Sequence, residues 1–119
     1  MIPLYRLTGT TLDAIGALKV EGQGQALTVT PAALNVASSA SLNLATMRFI
    51  EVNHPYSTGG LSVVNVGLSA DGVLLLQVSP RLRAELDDRR IALIGLETAK
   101  LKFGVPHSAI KGVVIELAK

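Results

Sequence analysis

The chain contains no cysteine, which excludes a disulfide framework, a thiolate metal site and a cysteine nucleophile. It leaves the redox compartment open. Aromatic residues make up 3% of the sequence and are limited to Tyr5, Phe49, Tyr56 and Phe103, few for a surface on which bases would stack. Charge is scarce too, at 17% against about 25% in ordinary domains. The 11 basic residues nearly cancel the 9 acidic ones, for a net charge of +2. Long apolar runs are missing: the longest are 73–76, ended by Gln77, and 91–96. Both fall far below the ~18 residues of a membrane-spanning helix. The start, Met1 to Arg6 with Pro3 inside it, lacks the basic head and apolar stretch of a signal peptide. A protein that stays in the compartment of its synthesis is the expectation.

Aliphatic side chains are plentiful. Hydrophobic residues are 49% before the 11 glycines are counted, where ordinary domains reach about 45–50% with glycine included. A chain of 119 residues buries a smaller share of its surface than a large one. An aliphatic surplus with little charge to cover it points to burial against other subunits.

Periodicity is mostly two, or short solid apolar runs between turn residues, which argues for strands. Residues 2–7 form an extended segment in which Pro3 suits an edge or an arm more than a central strand, so 1–16 is read as a possible N-terminal arm. Alternation through 17–30, around Gly22-Gln23-Gly24, predicts a hairpin. Residues 41–53 predict the longest strand, with a bulge near Ala45 and Thr46 where the apolar parity changes. The runs 61–67 and 73–79, joined through Asp71-Gly72, predict a second hairpin. One short helix is expected over about 80–88, capped by Ser79, with Pro80 in its first position. Strands are then expected over 90–96, over 100–105, where Leu101, Phe103 and Val105 alternate, and over 111–117. The fold expected is mainly β: a single-domain antiparallel sandwich or barrel of about eight strands with one short helix.

No motif for chemistry emerges. His54 and His107 each stand beside a proline with no second ligand at metal spacing. Asp87 and Asp88 read as the solvated end of a helix rather than an acid/base pair. Ser69 and Ser108 lack the elbow that poses a nucleophilic serine. Gly22-Gln23-Gly24 lacks the third glycine and the lysine of a phosphate loop. Arg81, Arg83, Arg89 and Arg90 are interleaved with Glu85, Asp87 and Asp88, too balanced for a phosphate-tracking groove. No enzyme, cofactor, metal, nucleic-acid or membrane role is therefore expected.

What remains is assembly. The aliphatic, alanine, serine and threonine surplus, low charge, Pro3-containing start and strands running nearly to Lys119 resemble the small all-β structural proteins of tailed bacteriophage virions, such as capsid cement or decoration proteins. The resemblance implies a symmetric homo-oligomer, often a trimer, that clamps a capsid shell, and a virion location after assembly in the host cytoplasm. Outside that family a cytoplasmic location is expected. The candidate contact residues are Pro3, Tyr5, Arg6, Tyr56, Arg81, Arg89 and Arg90. A small β-barrel or sandwich binding module, or a subunit of a cellular complex, is the alternative; its mark is a patch of exposed aromatics. A small enzyme built around His54 or His107 comes third.

Overall fold

The computed structural model describes residues 2–20, 27–30, 44–51, 61–80 and 87–117. Among these residues seven strands form one mixed sheet: β1 (Ile2–Thr8), β2 (Thr11–Val20), β3 (Leu27–Thr30), β4 (Arg48–Glu51), β5 (Leu61–Leu68), β6 (Val73–Pro80) and β7 (Gly112–Leu117). One helix, α1 (Asp88–Phe103), joins β6 to β7. The strand order is β3-β2-β1-β7-β6-β5-β4. The last strand in the chain thus lies in the middle, parallel to β1 on one side and to β6 on the other. The flanking trios are antiparallel.

Mainly β is right; a sandwich or barrel of about eight strands is not. Among the described residues the sheet is open, with β3 at one end and β4 at the other. The two hairpins stand: Ala17 to Val20 pairs with Leu27 to Thr30, and β5 pairs with β6. In the second, Ser69 Oγ accepts from the Val73 N–H at 3.0 Å. Gly72 has φ +87°, and a Cβ there would meet the Ala109 carbonyl oxygen at 2.5 Å, so the turn requires glycine.

Parallel strands demand a crossover of a dozen or more residues, and α1 provides it. This overturns the strands expected over 90–96 and 100–105. Asp87 accepts a hydrogen bond from the Arg90 N–H at 2.9 Å, making it the N-cap rather than a closing turn. Lys100 and Lys102 occupy the last turn, and Gly104 closes the helix at φ 69°. Ile91, Ala92, Gly95, Leu96 and Ala99 are buried, one stripe at helical spacing. The alternation of Leu101, Phe103 and Val105 was misleading, because Leu101 is 78% exposed on the outer side. Of the helix expected over 80–88, Pro80 ends β6, opposite Leu61. It lies beyond Val78, where the ladder to β7 stops, so its missing N–H costs no bond to that strand. Residues 81–86 lie outside the described residues, and Asp88 opens α1.

The expected strand over 41–53 shortens to β4 in its described part, preceded by a 3₁₀ turn at Leu44–Thr46 in place of a bulge. The bulges occur instead on internal strands, at the Leu4/Tyr5 step facing β2 and at Val63/Asn65 facing β6. Residues 22–24 and 52–60 lie outside the described residues.

The helix covers one face of the sheet. Ile91, Ala92, Leu96 and Ala99 pack on Leu4, Leu18, Val66, Leu74, Leu76, Val113 and Ile115. On the opposite face Tyr5, Leu75 and Val114 cluster with Met47. Leu74 to Leu76 and Val113 to Ile115 are buried without a break, as expected of parallel strands covered on both sides.

Candidate interaction surface

The expected contact residues separate once folded. β1 is no arm: it is an internal strand, hydrogen-bonded to β2 and β7. Pro3 is tolerated because the ladder to β7 begins only at Leu4. Tyr5 is buried among Leu75, Val114 and Met47, so it offers no surface; that burial raises its phenol pKa. Arg6 pairs with Asp88 at the start of α1, which ties β1 to the helix. Asp88 also complements the positive end of the helix dipole. Arg89 and Arg90 are exposed on the same turn, so Arg6, Arg89 and Arg90 share one corner while Pro3 and Tyr5 do not join them. Tyr56 and Arg81 lie outside the described residues.

Of the groups with chemical potential, the amide and carboxyl row is hydrogen-bonded, whereas His107 Nε2 is buried without a hydrogen-bond partner. Across β5, β6 and β7, Asn65 Nδ2 donates to Gln77 Oε1 at 2.9 Å and Gln77 Nε2 donates to Glu116 Oε1 at 3.1 Å. By strand alternation this row lies on the face away from the helix. His107 opens a 3₁₀ turn after α1, its side chain 14% exposed and its Nε2 3.7 Å from Glu97 Oε1. Among the described residues no group of three or more His, Cys, Asp or Glu is placed to hold a metal ion. His54 lies outside them.

What sequence reasoning missed is the place of β4, the described part of the strand expected over 41–53. Among the described residues it is the last strand of the sheet, and it carries Phe49, 44% exposed. The ring lies on Gly67, its register partner in β5, close enough that a Cβ on Gly67 would fall 2.7 Å from Phe49 Cε1. On the other face the Arg48 guanidinium stands 5.0 Å from the centre of the Phe103 ring, a cation–π contact that anchors the strand to the end of α1. Leu101 and Leu117 are the other large apolar side chains exposed among the described residues, one on the last turn of the helix and one at the end of β7. An exposed aromatic at Phe49 is visible only once strand order is known.

No family model matches the chain, and neither curated proteins nor solved structures gave a match. The functional argument therefore rests on the geometry.

Proposed function

We propose that this chain is a structural, non-enzymatic component that assembles with copies of itself. The observation that carries the reading is the open sheet: among the described residues it ends on β4 without closing, and β4 presents a half-exposed Phe49. A terminal strand leaves a row of backbone donors and acceptors on its outer side, a template for another strand. The aliphatic surplus and low charge of the sequence point the same way. The larger assembly we propose is a virion shell, the class the composition resembles, with the chain acting passively through many modest contacts.

Sedimentation velocity over a concentration series tests the reading. The expected result is a species heavier than the 12.4 kDa chain that grows with concentration, with no metal or nucleotide added. A single 12.4 kDa boundary at every concentration would overturn it.

A further inference from the structure

We infer that the sheet face away from α1 carries a shallow binding platform for a neutral saccharide, with Phe49 as the stacking ring and Asn65, Gln77 and Glu116 as its hydrogen-bonding row. The inference goes beyond the assembly reading and does not depend on it. Strand addition uses the backbone edge of β4, whereas the platform uses side chains that stand on the face of the sheet.

Two independent observations meet there. The first is the ring. Phe49 is 44% exposed although it rests against β5, and it can do so because its register partner is Gly67. Any side chain at that position would collide with the ring, so the glycine lets the aromatic lie against the sheet with its outer side open. The second is the row. Asn65 stands two residues along β5 from Gly67 on the same face, which makes it the diagonal neighbour of Phe49, about 7–8 Å away and within reach of an aromatic side chain. Gln77 is the register partner of Asn65, and Glu116 that of Gln77. All three are half-buried, so the row reaches water.

The chemistry left over selects the ligand. Asn65 donates once to Gln77, and Gln77 once to Glu116. Within the row this leaves one N–H and the carbonyl oxygen of Asn65, the second N–H of Gln77, and Oε2 of Glu116. Donors and acceptors therefore alternate beside an exposed ring. A sugar hydroxyl both donates and accepts, and the C–H face of a pyranose is drawn to the negative face of an aromatic ring. The one charge in the row is the Glu116 carboxylate, which opposes phosphates and acidic sugars by like-charge repulsion. So open a platform binds weakly, because little of the ligand is taken out of water.

Proton–nitrogen correlation NMR of the full chain tests this, because the side-chain amides of Asn65 and Gln77 report directly. The neutral probes are maltotriose, cellotriose and triacetylchitotriose; trigalacturonate is the acidic one. The expected result is a saturating shift of both side-chain amides and of the Gly67 backbone amide with at least one neutral probe, and none with trigalacturonate. Phe49→Ala, at an exposed position, should weaken that binding by about tenfold, with the β7 amides in place as proof of folding. Leu101→Ala, on the outer side of α1, should leave it unchanged. No shift with any neutral probe, equal binding of trigalacturonate, or undiminished binding by Phe49→Ala would overturn the inference. Because protein concentration stays constant through each titration, self-assembly neither produces these shifts nor removes them.

Discussion

Gly95 of α1 lies directly over Leu76 of β6: a Cβ at that glycine would sit 2.1 Å from Leu76 Cδ2 and 2.9 Å from its Cγ. Ala92 and Ala99 flank it on the buried stripe, so three small residues let the helix settle onto the sheet. Leu76 is fully buried and has no free room to turn aside. By helix propensity alone, glycine to alanine in a helix interior stabilises by about 1 kcal/mol. Here Gly95→Ala should instead destabilise by about 1–3 kcal/mol through overpacking. Urea denaturation measures it, and Leu76→Val in the same chain should recover part of the loss. A more stable Gly95→Ala variant would mean that the helix stands further from the sheet.

The place of β1 gives a second prediction. Leu4 is 1% exposed and pairs with Gly16 on one side and Val113 on the other. Leu4→Ala should cost about 2–5 kcal/mol of unfolding free energy. Were residues 1–16 an arm, the same change would stay within about 0.5 kcal/mol. The midpoint of a urea melt separates the two.

Tyr5 gives a third. Burial raises its phenol pKa above the ordinary 10.0, so the folded state favours the neutral form. Below about pH 10 the phenol is neutral whether the chain is folded or not, and stability is unaffected. Above it the unfolded chain ionises first, and stability falls as pH rises towards the folded-state value. Melting followed from pH 8 to 11 should show this alkaline loss in the wild type and a shallower one in Tyr5→Phe. Identical profiles would mean that the phenol reaches water.

The sequence disclosed the local pairs and hid the order between them. The hairpins at 17–30 and 61–79 were legible because alternation and Asp71-Gly72 are local signals. The central strand was legible as a strand, yet its position was not. Residues 113–115 read as a solid apolar run, the pattern of a parallel strand buried on both faces, but nothing local says which strands flank it. The helix was misread for a different reason. Leu101, Phe103 and Val105 alternate by chance, whereas Asp87, Gly104 and Pro106 mark its ends and Ile91, Ala92, Gly95, Leu96 and Ala99 repeat at helical spacing. Three small positions, Ala92, Gly95 and Ala99, made that stripe look weak, although small residues are what close packing on β6 requires. Tyr5 was expected at the surface because its neighbour Pro3 suggested an edge; once β1 is internal, its burial follows. Phe49 passed unnoticed because exposure at a sheet end depends on strand order.

Amide hydrogen exchange along β4 as a function of protein concentration tests most directly whether this sheet grows by adding a strand. Two of the four β4 amides face away from β5, as alternation requires for an end strand. The account predicts that these outward amides exchange more slowly as concentration rises, while the amides of β7 in the sheet centre keep the same rate. Exchange of the outward β4 amides at one constant rate across the series would contradict it.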